Sequence, residues 1–255
     1  AEGSTEFHAL YPYSAAESFA DGKFIANIPA VQTVAGEGMA DPNALLAVAH
    51  LSGEGKFAFR NVCGLIKVNV PEGGISQIII EGAKGEALAG KGTVTVSDAP
   101  VFTASEEAST TVTLLPAGGE GKNFAAGDYY AAVAPVLFEE GFKITLVRLD
   151  SRSGVTSTDQ KLEVVRNGGL YLTDAITSFE WKWVIMNKEQ LLAWNAGDRK
   201  KTDYVELGAD IDLAGENWEP HDFSGVFEGN GHKIYNISNS RDGYCGFVAA
   251  LNGTI

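Results

Sequence analysis

The chain has 255 residues, 45% of them hydrophobic and 20% charged, which excludes a disordered polymer and supplies one large domain or two smaller ones. Its 33 acidic residues outweigh 19 basic ones, and the net charge of −14 argues against nucleic acid and anionic membrane, both of which are bound through Lys and Arg. Thirty glycines and eight prolines call for many turns and few long helices.

No apolar run approaches the roughly 18 residues of a membrane span, and no signal peptide opens the chain. Ala1-Glu2-Gly3-Ser4-Thr5 reads as a mature or trimmed start. From there to about residue 177, apolar and polar residues alternate between Gly/Pro/Asp clusters. Strands are expected at Glu6–Leu10, Lys23–Ile28, Leu45–His50, Lys56–Val62, Leu65–Val70, Ile75–Glu81, Gly92–Val96, Thr111–Leu115, Tyr129–Ala134, Phe142–Leu149 and Leu162–Arg166. Pro71-Glu72-Gly73-Gly74 supplies a hairpin connection, and Gly64 a bulge or a change of sheet. Phe142, Ile144 and Leu146 face one side and Lys143 and Thr145 the other, so that strand has one core face. Ile78-Ile79-Ile80 is apolar on both faces, as a central strand requires. Eleven short strands with almost no helical period predict an antiparallel β-sandwich over residues 1–177.

Near Ser178 the texture changes, with Trp181, Trp183 and Trp194 close together. Asn187 and Gln190 have the spacing of a capping box ahead of Leu191, Leu192 and Trp194, and Gly197 stops this short capping helix. The domain boundary is expected between Leu172 and Phe179, leaving 178–255 as a second region. There Val205, Val226 and Phe247 recur every 21 residues, as do Leu213, Ile234 and Ile255; Tyr204, Gly225 and Gly246 share the register. Such a period indicates stacked units that bury their apolar faces on one another. The expectation is the first coils of a right-handed parallel β-helix-like repeat, with Val205 on Val226 on Phe247 and Leu213 on Ile234 on Ile255 as inward ladders and Gly229-Asn230-Gly231 at a corner. Because Ile255 falls on a ladder position and a bare solenoid end exposes an edge, further coils are expected beyond it.

Phe223-Ser224-Gly225-Val226-Phe227-Glu228-Gly229-Asn230-Gly231-His232-Lys233-Ile234-Tyr235-Asn236-Ile237 resembles the GLUG-type repeat of bacterial surface proteins. Gly246-Phe247-Val248 through Thr254-Ile255 continues the pattern, and Leu207-Gly208-Ala209-Asp210-Ile211-Asp212-Leu213 with Trp218-Glu219-Pro220 leads into it. The first region is similar to the fimbrillin-like proteins of Bacteroidetes, through Phe57-Ala58-Phe59-Arg60-Asn61-Val62-Cys63-Gly64-Leu65-Ile66-Lys67-Val68 and Ile78-Ile79-Ile80-Glu81-Gly82 with Leu88-Ala89-Gly90. Tyr129-Tyr130-Ala131-Ala132-Val133-Ala134-Pro135 and Gly141-Phe142-Lys143-Ile144-Thr145 carry it further. That resemblance implies an extracellular, often lipid-anchored protein of pili or the outer-membrane surface, though no lipidation cysteine lies in this chain.

Chemistry is sparse. Cys63 and Cys245 are far apart, which excludes a disulfide framework and a zinc site of closely spaced Cys and His. His8 and His50 read as surface or edge imidazoles, and His232 as part of the repeat. Trp218, His221 and Asp222 form the candidate ligand-binding cluster, an aromatic platform beside polar groups that suits a sugar. Asp210 and Asp212 share a strand face but lack calcium-loop spacing, so a solvated acidic face is expected. The adjacent pairs Glu106-Glu107 and Glu139-Glu140 face opposite ways on strands and suit no acid/base dyad. No catalytic serine elbow, phosphate loop or zinc-protease motif occurs.

The expectation is therefore a non-catalytic cell-surface adhesin or pilus component without cofactor, catalytic residue or metal. Its sandwich would be the stalk or assembly unit, and its repeat region the display module. Its partners would be other surface or pilus subunits joined by strand addition, or a host or dietary glycan or protein, with neither nucleic acid nor membrane insertion. The alternative is the targeting or carbohydrate-binding region of a larger exported glycan-active enzyme or peptidase.

Overall fold

The computed structural model describes residues 6–52, 55–119, 121–171, 179–197, 203–239 and 246–255. Ala1–Thr5, Glu120, the expected boundary segment 172–178 and Cys245 lie outside the described residues. The protein is mainly β, with several sheets and, among the described residues, one short α-helix. It divides into two compact units, Ala1–Leu149 with Val155–Phe179, and Asp150–Gly154 with Glu180–Ile255.

The first unit is built from β1 (Glu6–Tyr11), β2 (Ala16–Ala20), β3 (Lys23–Ile28), β4 (Val31–Val34), β5 (Ala47–Ser52), β6 (Arg60–Asn61), β7 (Gly64–Val70) and β8 (Ile75–Gly82). It continues through β9 (Gly90–Thr95), β10 (Phe102–Ala104), β11 (Thr111–Pro116), β12 (Gly127–Val133), β13 (Val136–Phe138) and β14 (Phe142–Arg148). Then follow β15 (Arg152–Thr158), of which 155–158 belong to this unit, β16 (Leu162–Val164) and β17 (Gly169–Tyr171). Central β8 lies antiparallel between β11 and β14, and β4 closes β11 in parallel. A second sheet runs β12-β7-β17, and others run β1-β5-β6 and β10-β9-β3-β2.

Alternation decides which faces meet. Ile78, Ile80, Val112, Leu114, Ile144 and Leu146 are buried from one sheet, and Ile66, Val68, Val70, Ala131 and Val133 from another. Each large aliphatic among them contributes about 1.5–3 kcal/mol by leaving water. Phe142 joins Ile144 and Leu146 on the buried face, while Ile79 is only partly buried, so β8 is central but fully covered on one face only. Gly64 opens β7 at a close approach: a Cβ there would stand 2.4 Å from Val164 Cγ1 and 2.5 Å from the Val165 carbonyl.

The expected strand Lys56–Val62 is corrected to the two residues of β6. Phe57 and Phe59 are 40% and 48% exposed and rest on each other, ring centroids 6.3 Å apart. Alternation there marks two exposed aromatics, not a buried face.

The second unit holds β18 (Glu180–Ile185), α1 (Lys188–Ala196), β19 (Tyr204–Leu207), β20 (Ile211–Asp212), β21 (Val226–Glu228) and β22 (Ile234–Tyr235). Asn187 Oδ1 caps the helix by accepting from Gln190 N–H at 2.9 Å. Gln190 Oε1 in turn accepts from Met186 N–H at 2.7 Å, one residue further back than the usual capping box. β18, β19 and β21 stack in parallel, as do β20 and β22, and parallel bridges join Asn217 to Ser238, Phe223 to Leu251 and Val226 to Thr254.

The register differs from the strict 21-residue repeat. Val205 pairs Phe227, and Trp183 pairs Val205, a step of 22 residues; Ile211 pairs Ile234, a step of 23. Val226 instead pairs the outward Tyr204. Because side chains alternate along a strand, a slip of one residue exchanges the inward and outward sets. The inward ladder is therefore Trp183, Val205 and Phe227. Ile255 is 59% exposed and belongs to no ladder. Gly225 aligns with Asp203 and Gly253 through the bonds from Val226 N–H to Asp203 and from Thr254 N–H to Gly225. Asn230 and Gly231 both take positive φ, 49° and 80°, at the corner.

Candidate functional site

Ile185, Leu191, Trp194, Val205, Leu207, Ile211, Leu213, Trp218, Phe223 and Phe227 form the core of the second unit, with Phe247 packed against it. Helix α1 is pinned there by Asn195 Nδ2, which donates to the Glu219 carbonyl at 2.9 Å. Trp194 meets Phe223 and Phe227 edgewise or tilted, centroids 5.6 and 5.5 Å apart.

Trp218 is fully buried in this core. Its ring stacks on Phe247 at 5.0 Å and 10°, and its Nε1–H donates to the Phe247 carbonyl at 2.9 Å. The expected aromatic platform is therefore corrected: this ring cements one coil to the next and presents no face to a sugar. His221 and Asp222, three and four residues on, are exposed, and the His221 carbonyl accepts from Ala249 N–H at 3.0 Å.

The exposed polar residues of the coils form rungs of their own. Asp210 Oδ1 meets His232 Nδ1 at 3.2 Å and accepts from Lys233 N–H at 3.0 Å. That backbone bond, with the His232 contact second, holds the Asp210 carboxyl below its ordinary range. Asp212 Oδ1 accepts from Asn236 Nδ2 at 2.7 Å and Ala214 N–H at 2.9 Å, and those bonds lower its pKa too. Lys182 bridges Glu206 at 2.6 Å and stands 5.8 Å from the Tyr204 ring centre. Among the described residues of this unit, the exposed aromatics are Tyr204, at 37%, and Tyr235, at 45%. They supply the flat faces that Trp218 does not.

In the first unit, a cavity of about 270 Å³ is lined by Leu45, Leu46, Asn61, Cys63, Asn167 and Tyr171 among others. Asn61 Nδ2 donates to Asn167 Oδ1 at 2.5 Å, and Arg166 Nη1 donates to the Asn61 carbonyl at 3.0 Å. Burial pushes the Cys63 thiol up to about 12, so it is no nucleophile near neutrality. This is an apolar recess without a reactive group.

No protein-family model matches the chain, and no curated protein matches it. One solved structure, described as “a putative cell adhesion protein from Bacteroides ovatus”, resembles it with a TM-score of 0.39 and 10% identity, over 71% of this chain and 68% of that one. Likeness at that level decides neither fold nor role.

Sequence reasoning missed the meeting of His8 and His50, which the structure sets opposite each other on β1 and β5. Both strands were expected, but a pairing between residues 42 apart carries no local signal. It likewise missed Tyr204 and Tyr235, whose outward direction depends on the register.

Proposed function

We propose that this chain is a non-catalytic, extracellular surface protein of the adhesin or pilus type. The coil unit displays a ligand face, and the sandwich unit serves as stalk or assembly element. One observation carries the reading: β18, β19 and β21 run parallel in register, so equivalent outward positions recur along one stack. Such stacks make extended binding surfaces. Tyr204 with Lys182 and Glu206 gives that stack an aromatic face beside polar groups, and Tyr235 with Asp212 gives the separate β20-β22 pair another; such combinations hold a glycan or a polar protein loop.

For assembly by strand addition, the edge of β5 is the candidate. β6 pairs only Ala47 and Val48 of β5, so among the described residues the outer edge of Ala49–Ser52 has no strand on it. An added strand there would bind through main-chain hydrogen bonds.

The experiment is a binding screen of the chain against panels of glycans and host surface proteins. Saturable binding that Tyr204→Ala or Tyr235→Ala weakens about two- to tenfold or more supports the reading, since a lost stacking contact is worth roughly 0.5–1.5 kcal/mol. Absence of any ligand, together with turnover of a polysaccharide or peptide substrate, would overturn it.

A further inference from the structure

Among the described residues, Glu6, His8 and His50 are the three metal-ligating side chains that stand together, with ligand atoms all within 4.8 Å of one another. The sheet makes this grouping. β1 and β5 are antiparallel, with His8 directly opposite His50 and Glu6 opposite Ser52. Glu6 and His8 are two residues apart and share a face, and direct opposition puts His50 on it too. Glu6 and His50 are exposed and His8 is half-buried, so the face is open to an arriving ion. The imidazole centroids are 4.9 Å apart at 32°. Behind His8 stands Phe19, ring centroids 4.7 Å apart, itself resting on Phe24 at 4.6 Å. This aromatic backing restricts the His8 ring and dries one side of the site.

We propose that Glu6, His8 and His50 form a surface site for a divalent first-row transition ion, Zn²⁺ by its donor set, with a fourth position filled by water. Two imidazole nitrogens and one carboxylate are the ligands of three-residue zinc centres. Calcium and magnesium are disfavoured, because they require several oxygen donors and only Glu6 offers any. Zinc–ligand bonds near 2.0–2.2 Å place donors about 3.3 Å apart in a tetrahedron. Rotation of accessible side chains closes the present spacing, since opposed residues already hold their Cβ atoms about 4.5–5.5 Å apart. The bound ion would cross-link β1 to β5. This inference is independent of the adhesin reading and uses neither the coil unit nor a ligand face.

The test uses the whole chain, with Zn²⁺ titrated calorimetrically and Co²⁺ as a spectroscopic probe. The expected result is one ion per chain, with Co²⁺ giving the strong visible bands of a tetrahedral ion. His8→Ala and His50→Ala should each weaken binding about 100-fold or more, because even outer-shell changes cost about 10–100-fold. His232→Ala, which removes the imidazole beside Asp210, should leave binding unchanged. Excess Zn²⁺ should raise the melting temperature of the wild-type chain and of His232→Ala, but not of His8→Ala. Circular dichroism establishes that each variant is folded. A wild-type chain that takes up no Zn²⁺, or uptake that survives both His8→Ala and His50→Ala, overturns the assignment.

Discussion

Gln32 and Ala132, a hundred residues apart, exchange two hydrogen bonds: Gln32 Nε2–H donates to the Ala132 carbonyl at 2.6 Å, and Ala132 N–H donates to Gln32 Oε1 at 3.0 Å. The primary amide stands in for a strand. It satisfies both backbone groups of one residue of β12 from β4, which belongs to another sheet. Gln32 is fully buried, and its Nε2 also donates to the Pro29 carbonyl at 3.1 Å.

Gln32→Ala should therefore cost far more than a surface glutamine. It would orphan the N–H and C=O of Ala132, at roughly 1–3 kcal/mol for each buried group. The expected loss is about 3 kcal/mol, read as a lower urea midpoint with unchanged slope. Gln32→Glu keeps the shape but cannot donate to the carbonyl, and should also destabilise. A midpoint within error of the wild type would show that water replaces the amide.

Gly225→Ala tests the stacking of the coils. A Cβ on Gly225 would stand 2.0 Å from the Asp203 carbonyl oxygen, and one on Gly253 would stand 2.0 Å from that of Gly225. Neither residue has positive φ, so the constraint is pure approach of one coil's backbone to the next. Overpacking of this kind costs about 1–3 kcal/mol, sometimes more. Gly225→Ala should lower stability by that amount, whereas Gly215→Ala, with open space around it, should lose only what its φ of 85° imposes. Equal stability of Gly225→Ala and wild type would mean that the coils separate at little cost.

How far the sequence reaches is visible in these same residues. Alternation reveals the sandwich faces because burial acts locally on every second residue, as at Phe142, Ile144 and Leu146. The N-cap at Asn187 is legible because capping acts over three residues. The existence of stacked coils is legible from recurrence, but their register is not. Coils of unequal length shift the true partner of Val205 from Val226 to Phe227, and that choice depends on side chains meeting from three coils at once. The candidate site inherits the same limit: Trp218 is sequence-adjacent to polar residues, yet its contact with Phe247 29 residues on sends it inward.

Acid should act on the coil rungs. Hydrogen bonds hold both Asp210 and Asp212 below the ordinary aspartate value of 3.8. A carboxyl with a depressed folded pKa contributes stability that is fully present above its unfolded pKa, near 3.9, and is lost as pH falls through the folded value. Melting temperature should thus hold from neutrality down to about pH 5 and fall below that. The double variant Asp210→Asn, Asp212→Asn should fall less steeply over the same window. Parallel curves for the two chains would remove these carboxylates from the acid response.

Cys63 should be silent in the folded protein. Its thiol is pushed up to about 12 by burial, with its Sγ–H directed at the Ala44 carbonyl at 3.4 Å. In a Cys245→Ser background, where Cys63 is the remaining thiol, a disulfide reagent at mildly alkaline pH should label almost nothing before denaturant is added and one equivalent afterwards. Rapid labelling of the native chain would show that the recess beside Leu45 and Tyr171 opens to admit the reagent.

The most direct test of the second unit is Trp218. If this residue were a ligand platform, Trp218→Ala would abolish binding and leave stability intact. Buried against Phe247 with its Nε1–H bonded, it should do the reverse. Trp218→Ala removes a fully buried aromatic and should cost about 3–5 kcal/mol. Trp218→Phe keeps much of the stacking and leaves the Phe247 carbonyl without its donor, at about 1–3 kcal/mol. Denaturant unfolding followed by circular dichroism ranks the three chains. Any ligand found for the coil unit should bind folded Trp218→Phe with wild-type affinity. Full stability of Trp218→Ala with selective loss of ligand would return Trp218 to the surface role that its neighbours His221 and Asp222 first suggested.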